Sequence, residues 1–143
     1  MLTRSAEAVW EGDLPKGKGT VKLGSGAFEG QYSFNSRFEN GKGTNPEELI
    51  AAAHSACFSM ALSHALSEAG HVPTRVHTQA IVSLAKSEGG FSIPKIELKT
   101  DAVIPGIDDA TFQKIAEEAK KNCPVSKVLS GAEIVLTAKL LAA

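Results

Sequence analysis

The chain has 143 residues, of which 43% are hydrophobic and 22% charged, with two cysteines and a formal net charge of −1 at pH 7. Such a length is most simply one domain, spanning residues 1–143, able to bury a core without metal or disulfide staples. Because basic and acidic residues are mixed along the chain, neither nucleic acid nor an anionic membrane is an expected partner.

The N-terminal MLTRSAEAVWEGD lacks the apolar run and small-residue cleavage site of a secretory signal, so the expected compartment is the cytoplasm. Thiols there are kept reduced, and a disulfide between Cys57 and Cys123 would be transient rather than structural. Ala6, Ala8 and Trp10 alternate with polar residues, as do Val21 and Leu23 further on, which predicts two strands. The sequence GKGT at 17–20 lacks the preceding glycine of a phosphate-binding loop and is flanked by strand patterns, so it carries no nucleotide site. Phe28, Tyr32, Phe34 and Phe38 share one parity, which predicts a third strand with Arg37 on its polar edge.

Asn45, Pro46 and Glu48 form a helix start: Asn45 can cap, Pro46 suits the first turn, and Glu48 can complete a capping box. This helix is expected to run to about residue 69 and stop at Gly70. Its residues 49–66 contain no Asp, Glu, Lys or Arg and just reach the length of a membrane span. His54, His64, three serines and abundant alanine keep that stretch only modestly hydrophobic. A helix buried in the protein or at a subunit interface is therefore expected, not a membrane helix.

Val76, Thr78, Ala80, Val82 and Leu84 predict a strand, SEGG at 87–90 a hairpin turn, and Phe91 onward a return strand whose apolar parity shifts across Pro94, the mark of a bulge or an edge. Asp108 or Asp109 caps a second helix with Phe112, Ile115, Ala116 and Ala119 on one stripe. Pro124 opens a short third helix ending by Gly131, and Ile134, Leu136, Ala138 and Leu140 form a last strand. This order lacks the regular alternation of a doubly wound sheet and predicts an α+β fold. The first helix is apolar nearly all round, so one sheet face cannot cover it; a partner subunit is the simplest cover.

A cysteine attacks only as thiolate, and with an ordinary pKa of about 8.5 it is mostly protonated at neutral pH. Cys57 lies twelve residues past the cap, where its own helix dipole gives no help. Cys123 directly precedes a helix-opening proline, where free amides favour a thiolate, so local physics makes it the better nucleophile. Inert packing is the competing reading for both, since a free cysteine is a small hydrophobe. His54, Cys57 and His64 fall near one helical face. A cysteine hydrolase would lack an orienting third group, and a zinc or copper site would lack a further ligand and any recognised spacing.

Four segments, WEGDLPKGKGT (10–20), SRFENGKGTNPEELIAAAHSACFSMALS (36–63), PGID (105–108) and NCPVSKVL (122–129), together resemble the OsmC/Ohr peroxidase family in its OsmC branch. The resemblance implies an OsmC-like fold, a mainly antiparallel sheet packed with a long central apolar helix in an intertwined homodimer. It implies a thiol-dependent peroxidase that reduces organic hydroperoxides in preference to hydrogen peroxide, serves stress defence and needs no cofactor or metal. Carried over by position, Cys57 is the peroxidatic cysteine, Cys123 the resolving one, and Arg37 with Glu47 the pair that activates Cys57. The family further implies an external dithiol reductant, a lipoyl group on a protein partner.

Glu47 and Cys57 are ten residues apart, so on one straight helix they stand about 15 Å apart along the axis and roughly 80° apart in azimuth. A Glu47 that serves Cys57 is therefore expected to come from the partner chain. Phe38, Ile50, Phe58 and Met60 are candidates to line an apolar substrate approach. The alternative from another class is a ligand-binding or structural dimer with inert cysteines.

Overall fold

The computed structural model describes residues 1–143, in two compact units, Met1–Leu49 and Ile50–Ala143. In the first, β1 (Ala6–Glu11), β2 (Lys18–Leu23) and β3 (Glu29–Tyr32) form an antiparallel sheet in that order. The predicted third strand is corrected here: it ends at Tyr32, and Phe34–Phe38 is a short helix, α1, that carries Arg37. Ser33 overrides the alternating pattern. Its hydroxyl accepts from the Ser36 amide at 3.1 Å while Ser36 Oγ accepts from the Ser33 amide at 2.8 Å, a reciprocal cap that turns the chain into a helix.

The helix α2 (Pro46–Glu68) begins where its sequence signals place it: Asn45 Oδ1 accepts from the Glu48 amide at 2.7 Å. The Glu48 carboxylate does not close the expected capping box and instead accepts from Thr44 Oγ1 at 2.8 Å. The helix stops two residues before Gly70, which takes the positive φ of 89° that ends helices without strain in a residue lacking Cβ. Apolar residues surround the whole circumference of α2, so it has no single core-facing stripe.

In the second unit, β4 (Arg75–Ser87) and β5 (Gly90–Val103) form a long antiparallel hairpin, and β6 (Glu133–Leu141) adds to β5 in parallel. The parallel pair arises because α3 (Asp109–Asn122) and α4 (Pro124–Val128) carry the chain back before it re-enters the sheet. In the hairpin Ser83 pairs with Lys95 and Ala85 with Ser92, so the extra residue falls on β5 around Pro94, where the parity shift places a bulge. Beyond it Ile96, Leu98 and Ala102 point into the core as their period of two requires.

The core gathers Phe58, Leu62 and Leu66 of α2, Leu98 and Ala102 of β5, Ile104, the Phe112, Ile115, Ala116, Ala119 stripe of α3, and Cys123. Asp108 caps α3 through Thr111, and Lys120 and Lys121 sit favourably at its negative end. The fold is α+β, with two three-stranded sheets and one long apolar helix.

Candidate active site

The second unit brings the two cysteines together across 66 positions of sequence, with their sulfurs 3.1 Å apart and both thiols free. Cys57 stands on α2, half-buried. Cys123 is fully buried where α3 ends and α4 begins, its amide donating to the Ala119 carbonyl at 2.9 Å. Helix α3 is anchored by its apolar stripe and Pro124 starts the next helix at once, so the junction residue has little freedom to move.

The shared surroundings affect the two thiols unequally. Burial, then the hydrogen bond with Cys123, push the Cys57 thiol up, and the Val125 amide offsets only part of this. Burial also acts to raise Cys123, but hydrogen bonds from Cys57, from the amide and hydroxyl of Ser126 and from the Val125 amide outweigh it and bring that thiol down. The preference of local electrostatics for Cys123 thus persists in the folded unit. Of the influences on Cys57, the Val125 amide alone favours its thiolate.

The first unit holds Arg37 and Glu47 as a bidentate pair: Nε donates to Oε1 at 3.1 Å and Nη2 to Oε2 at 3.0 Å. The Glu47 side chain is 9% exposed and that of Arg37 35%. Two bonds fix the corner between α1 and α2 that makes the pairing possible. Ser36 Oγ donates to the Thr44 carbonyl at 2.8 Å, and Asn45 Nδ2 donates to the Ser36 carbonyl at 3.0 Å. Gly43 turns the chain between them at a φ of 115°, and a Cβ there would lie 2.5 Å from the Gln31 carbonyl oxygen. Phe38 packs against Phe34 at a centroid distance of 4.9 Å, and the Arg37 guanidinium lies 5.3 Å from the Phe38 ring centroid.

Of the other apolar candidates, Ile50 is half-buried, Met60 is 74% exposed and Phe58 is fully buried in the core. His54, Cys57 and His64 belong to no cluster of three or more potential metal ligands. The sequence offers His54 as a base for Cys57, as a metal ligand, or as a side chain that fills a helix surface or finds a hydrogen-bond partner. In the structure its Nε2 lies 2.7 Å from Ser126 Oγ, three residues past Cys123. Ser126 went unnoticed because a serine in a short helix has no distinguishing local signal.

Burial holds His54 below its ordinary value of 6.5. As pH falls below that value the unfolded chain binds the proton first, so the group contributes stability that is present above the ordinary value and lost toward acid. The urea midpoint is expected to fall as the pH drops below about 6.5, and to fall less in His54→Gln. Equal declines in the two proteins would contradict this account.

A close pair of reduced cysteines in an α+β unit, with a bidentate arginine–glutamate pair in the same chain, defines a dithiol redox protein by its chemistry. The family model for OsmC-like proteins matches residues 39–139, and the chain belongs to that family. It is 56% identical over 140 residues to peroxiredoxin OsmC of Escherichia coli K12, covering 97% of both chains. It is 36% identical over 92 residues to an organic hydroperoxide resistance protein of Xanthomonas axonopodis pv. citri, covering 64% of this chain and 63% of the other. Among solved structures it is similar to an organic hydroperoxide resistance protein of Elizabethkingia anophelis, with a TM-score of 0.79, 30% identity and coverage of 99% and 98%. It is also similar to an organic hydroperoxide resistance protein OsmC of Legionella pneumophila, with a TM-score of 0.76, 26% identity and coverage of 97% and 98%.

Proposed function

We propose that this protein is a thiol-dependent peroxidase that reduces organic hydroperoxides through Cys57, with Cys123 as the resolving cysteine. The observation that carries this reading is the reduced pair itself, two free sulfurs 3.1 Å apart in a packed unit. That separation needs only a small movement to reach the disulfide length of about 2.05 Å.

The Cys57 thiolate attacks the distal peroxide oxygen, the O–O bond breaks, and the alkoxide takes a proton and leaves as alcohol. Cys57 becomes a sulfenic acid, which Cys123 condenses to a disulfide, protecting Cys57 from irreversible over-oxidation. An external dithiol resets the pair by exchange, and a lipoyl group on a protein is the reductant class we favour. Such cycling needs a reducing compartment, which supports the cytoplasm.

Cys57 needs a cation, because its own surroundings disfavour the thiolate. Arg37 is the group we assign: a permanent charge whose Nε and Nη2 are engaged by Glu47, leaving Nη1 for the thiolate and the peroxide oxygens. Glu47 and Cys57 lie ten residues apart on the unbroken helix α2, about 15 Å of rise, so the reading is a homodimer in which Arg37 and Glu47 of one copy serve Cys57 of the other. The all-round apolar character of α2 and the exposed Met60 support a second copy as its cover. Phe38, Ile50 and Met60 would line an apolar approach to the sulfur, while Phe58 stays with the core.

One equivalent of cumene hydroperoxide followed by mass spectrometry tests the reading: a Cys57–Cys123 disulfide is expected, and thiols that stay reduced would leave a non-catalytic dimer as the better account. Turnover at equal concentrations is expected to be faster on cumene hydroperoxide than on hydrogen peroxide. The reverse order would remove the apolar approach.

A further inference from the structure

The two sulfurs are not alone in linking α2 to the chain around α4. His54 stands three residues before Cys57 on α2, and Ser126 three residues after Cys123, in α4. Nε2 of His54 lies 2.7 Å from Oγ of Ser126, beside the sulfurs at 3.1 Å. The two segments are thus joined by two rungs about one helical turn apart, 57 to 123 and 54 to 126, which run in opposite directions along the chain. His54 is 0% exposed and Ser126 5%, so the second rung lies inside the protein, shielded from competing water.

Stability alone is a poor reason for a histidine at this position. The other residues of α2 at 0% exposure are Phe58, Leu62 and Leu66, and position 54 continues their spacing of four. An apolar side chain there would extend the buried stripe, whereas His54 leaves Nδ1 buried without a hydrogen-bond partner. On the other side of the contact, α4 is five residues long and has no side-chain cap at Cys123, too little to hold its own place. It needs a tie to the rest of the unit. The His54–Ser126 bond supplies a directional one, which an apolar contact does not.

We propose that His54 and Ser126 are positioning residues for the redox pair: their bond holds α4 against α2 so that Cys123 stays opposite Cys57, and thereby sets the reduction potential of the Cys57–Cys123 disulfide. The inference rests on the reading of these cysteines as peroxidatic and resolving. In the resolving step the Cys123 sulfur bonds to the sulfenic sulfur of Cys57. The S–O bond breaks with its electron pair on oxygen, and the hydroxide takes the Cys123 proton and leaves as water. Both the rate of that condensation and the stability of its product rise with the effective concentration of one sulfur at the other. Two rungs across one contact support each other. A bond that already fixes α4 reduces the freedom lost when the sulfurs join, and the disulfide strengthens the bond in return. The His54–Ser126 bond therefore stabilises the disulfide relative to the two thiols, rather than both forms alike.

The test is the redox equilibrium of the full chain. Protein is equilibrated in buffers of reduced and oxidised dithiothreitol at neutral pH, the remaining thiols are alkylated, and the Cys57–Cys123 disulfide is counted by mass spectrometry. The protein disulfide takes two electrons and two protons from the dithiol, which closes to its own ring disulfide. Ser126→Ala is expected to lower the equilibrium constant for disulfide formation by about fivefold, the scale of one hydrogen bond, which places the potential about 20 mV less negative. His54→Gln, whose amide can still bond the Ser126 hydroxyl, is expected to move it less. In a His54→Leu background Ser126→Ala is expected to give no further shift, because the bond is already absent. A purely structural bond would lower the urea midpoints of reduced and oxidised Ser126→Ala equally and leave the potential at its wild-type value. That result overturns the proposal while leaving the cysteine roles intact. So does an equally large shift in the His54→Leu background, which would mean that Ser126 acts on the pair without His54. Ser126→Ala removes one oxygen atom and decides the matter alone if the His54 variants do not fold. Wild-type protein that forms no Cys57–Cys123 disulfide in the most oxidising buffer overturns the roles and the proposal together.

Discussion

Replacing Cys57 by serine is expected to bring peroxide consumption to background, a loss of roughly 10⁴-fold or more, because a serine hydroxyl cannot form the sulfenic acid. Replacing Cys123 by serine is expected to preserve the first turnover and then let Cys57 proceed to the sulfinic acid, visible as two added oxygen atoms in the mass spectrum. The pair of variants decides between two orders of events. Local electrostatics favours Cys123 as the thiolate, first through the hydrogen bond from Cys57 and then through Ser126 and the Val125 amide, whereas Cys57 is pushed up by burial. If Cys123→Ser stops the first turnover, local electrostatics has the better of it and the roles are exchanged.

Arg37→Ala is expected to lower the rate of the peroxide step by roughly 10²–10³-fold, the scale on which a preorganised charge acts on a developing anion. Arg37→Lys is expected to recover little, because an ammonium cannot make the two-point contact with Glu47 now formed at 3.1 and 3.0 Å. The proposed origin of this charge gives the larger effect. Doubly tagged heterodimers of a Cys57→Ser chain and an Arg37→Ala chain, each inactive or nearly so alone, are expected to regain about half the activity of the wild-type dimer if each site takes its cysteine and its arginine from different chains. If both come from the same chain, such a heterodimer stays as inactive as its parents. That outcome would require α2 to bend or break, since an unbroken helix separates positions 47 and 57 by about 15 Å.

Much of the fold could be read from neighbouring residues. Asn45, Pro46 and Gly70 bound α2, Asp108 starts α3 and Pro124 starts α4. The bulge beside Pro94 follows from a shift in apolar parity along one strand. Such signals act over a few positions, so a sequence states them directly. The third strand failed because two local signals competed there. Four aromatic positions of one parity favoured an extended chain, but Ser33 and Ser36 could cap each other, and the reciprocal cap placed Arg37 on a helix.

By itself the sequence determined that this is an α+β chain with a long apolar helix carrying one cysteine and a helix-opening proline beside the other. Family resemblance then singled out Cys57, Cys123, Arg37 and Glu47. Only the tertiary structure decided that β6 lies parallel to β5, that the two sulfurs meet at 3.1 Å, that Arg37 reaches Glu47 with two hydrogen bonds, and that His54 pairs with Ser126 at 2.7 Å. The reason is range. Caps and turns are settled by residues a few positions apart, whereas a contact across 66 or 72 positions exists only after a sheet and a core have fixed where each helix lies.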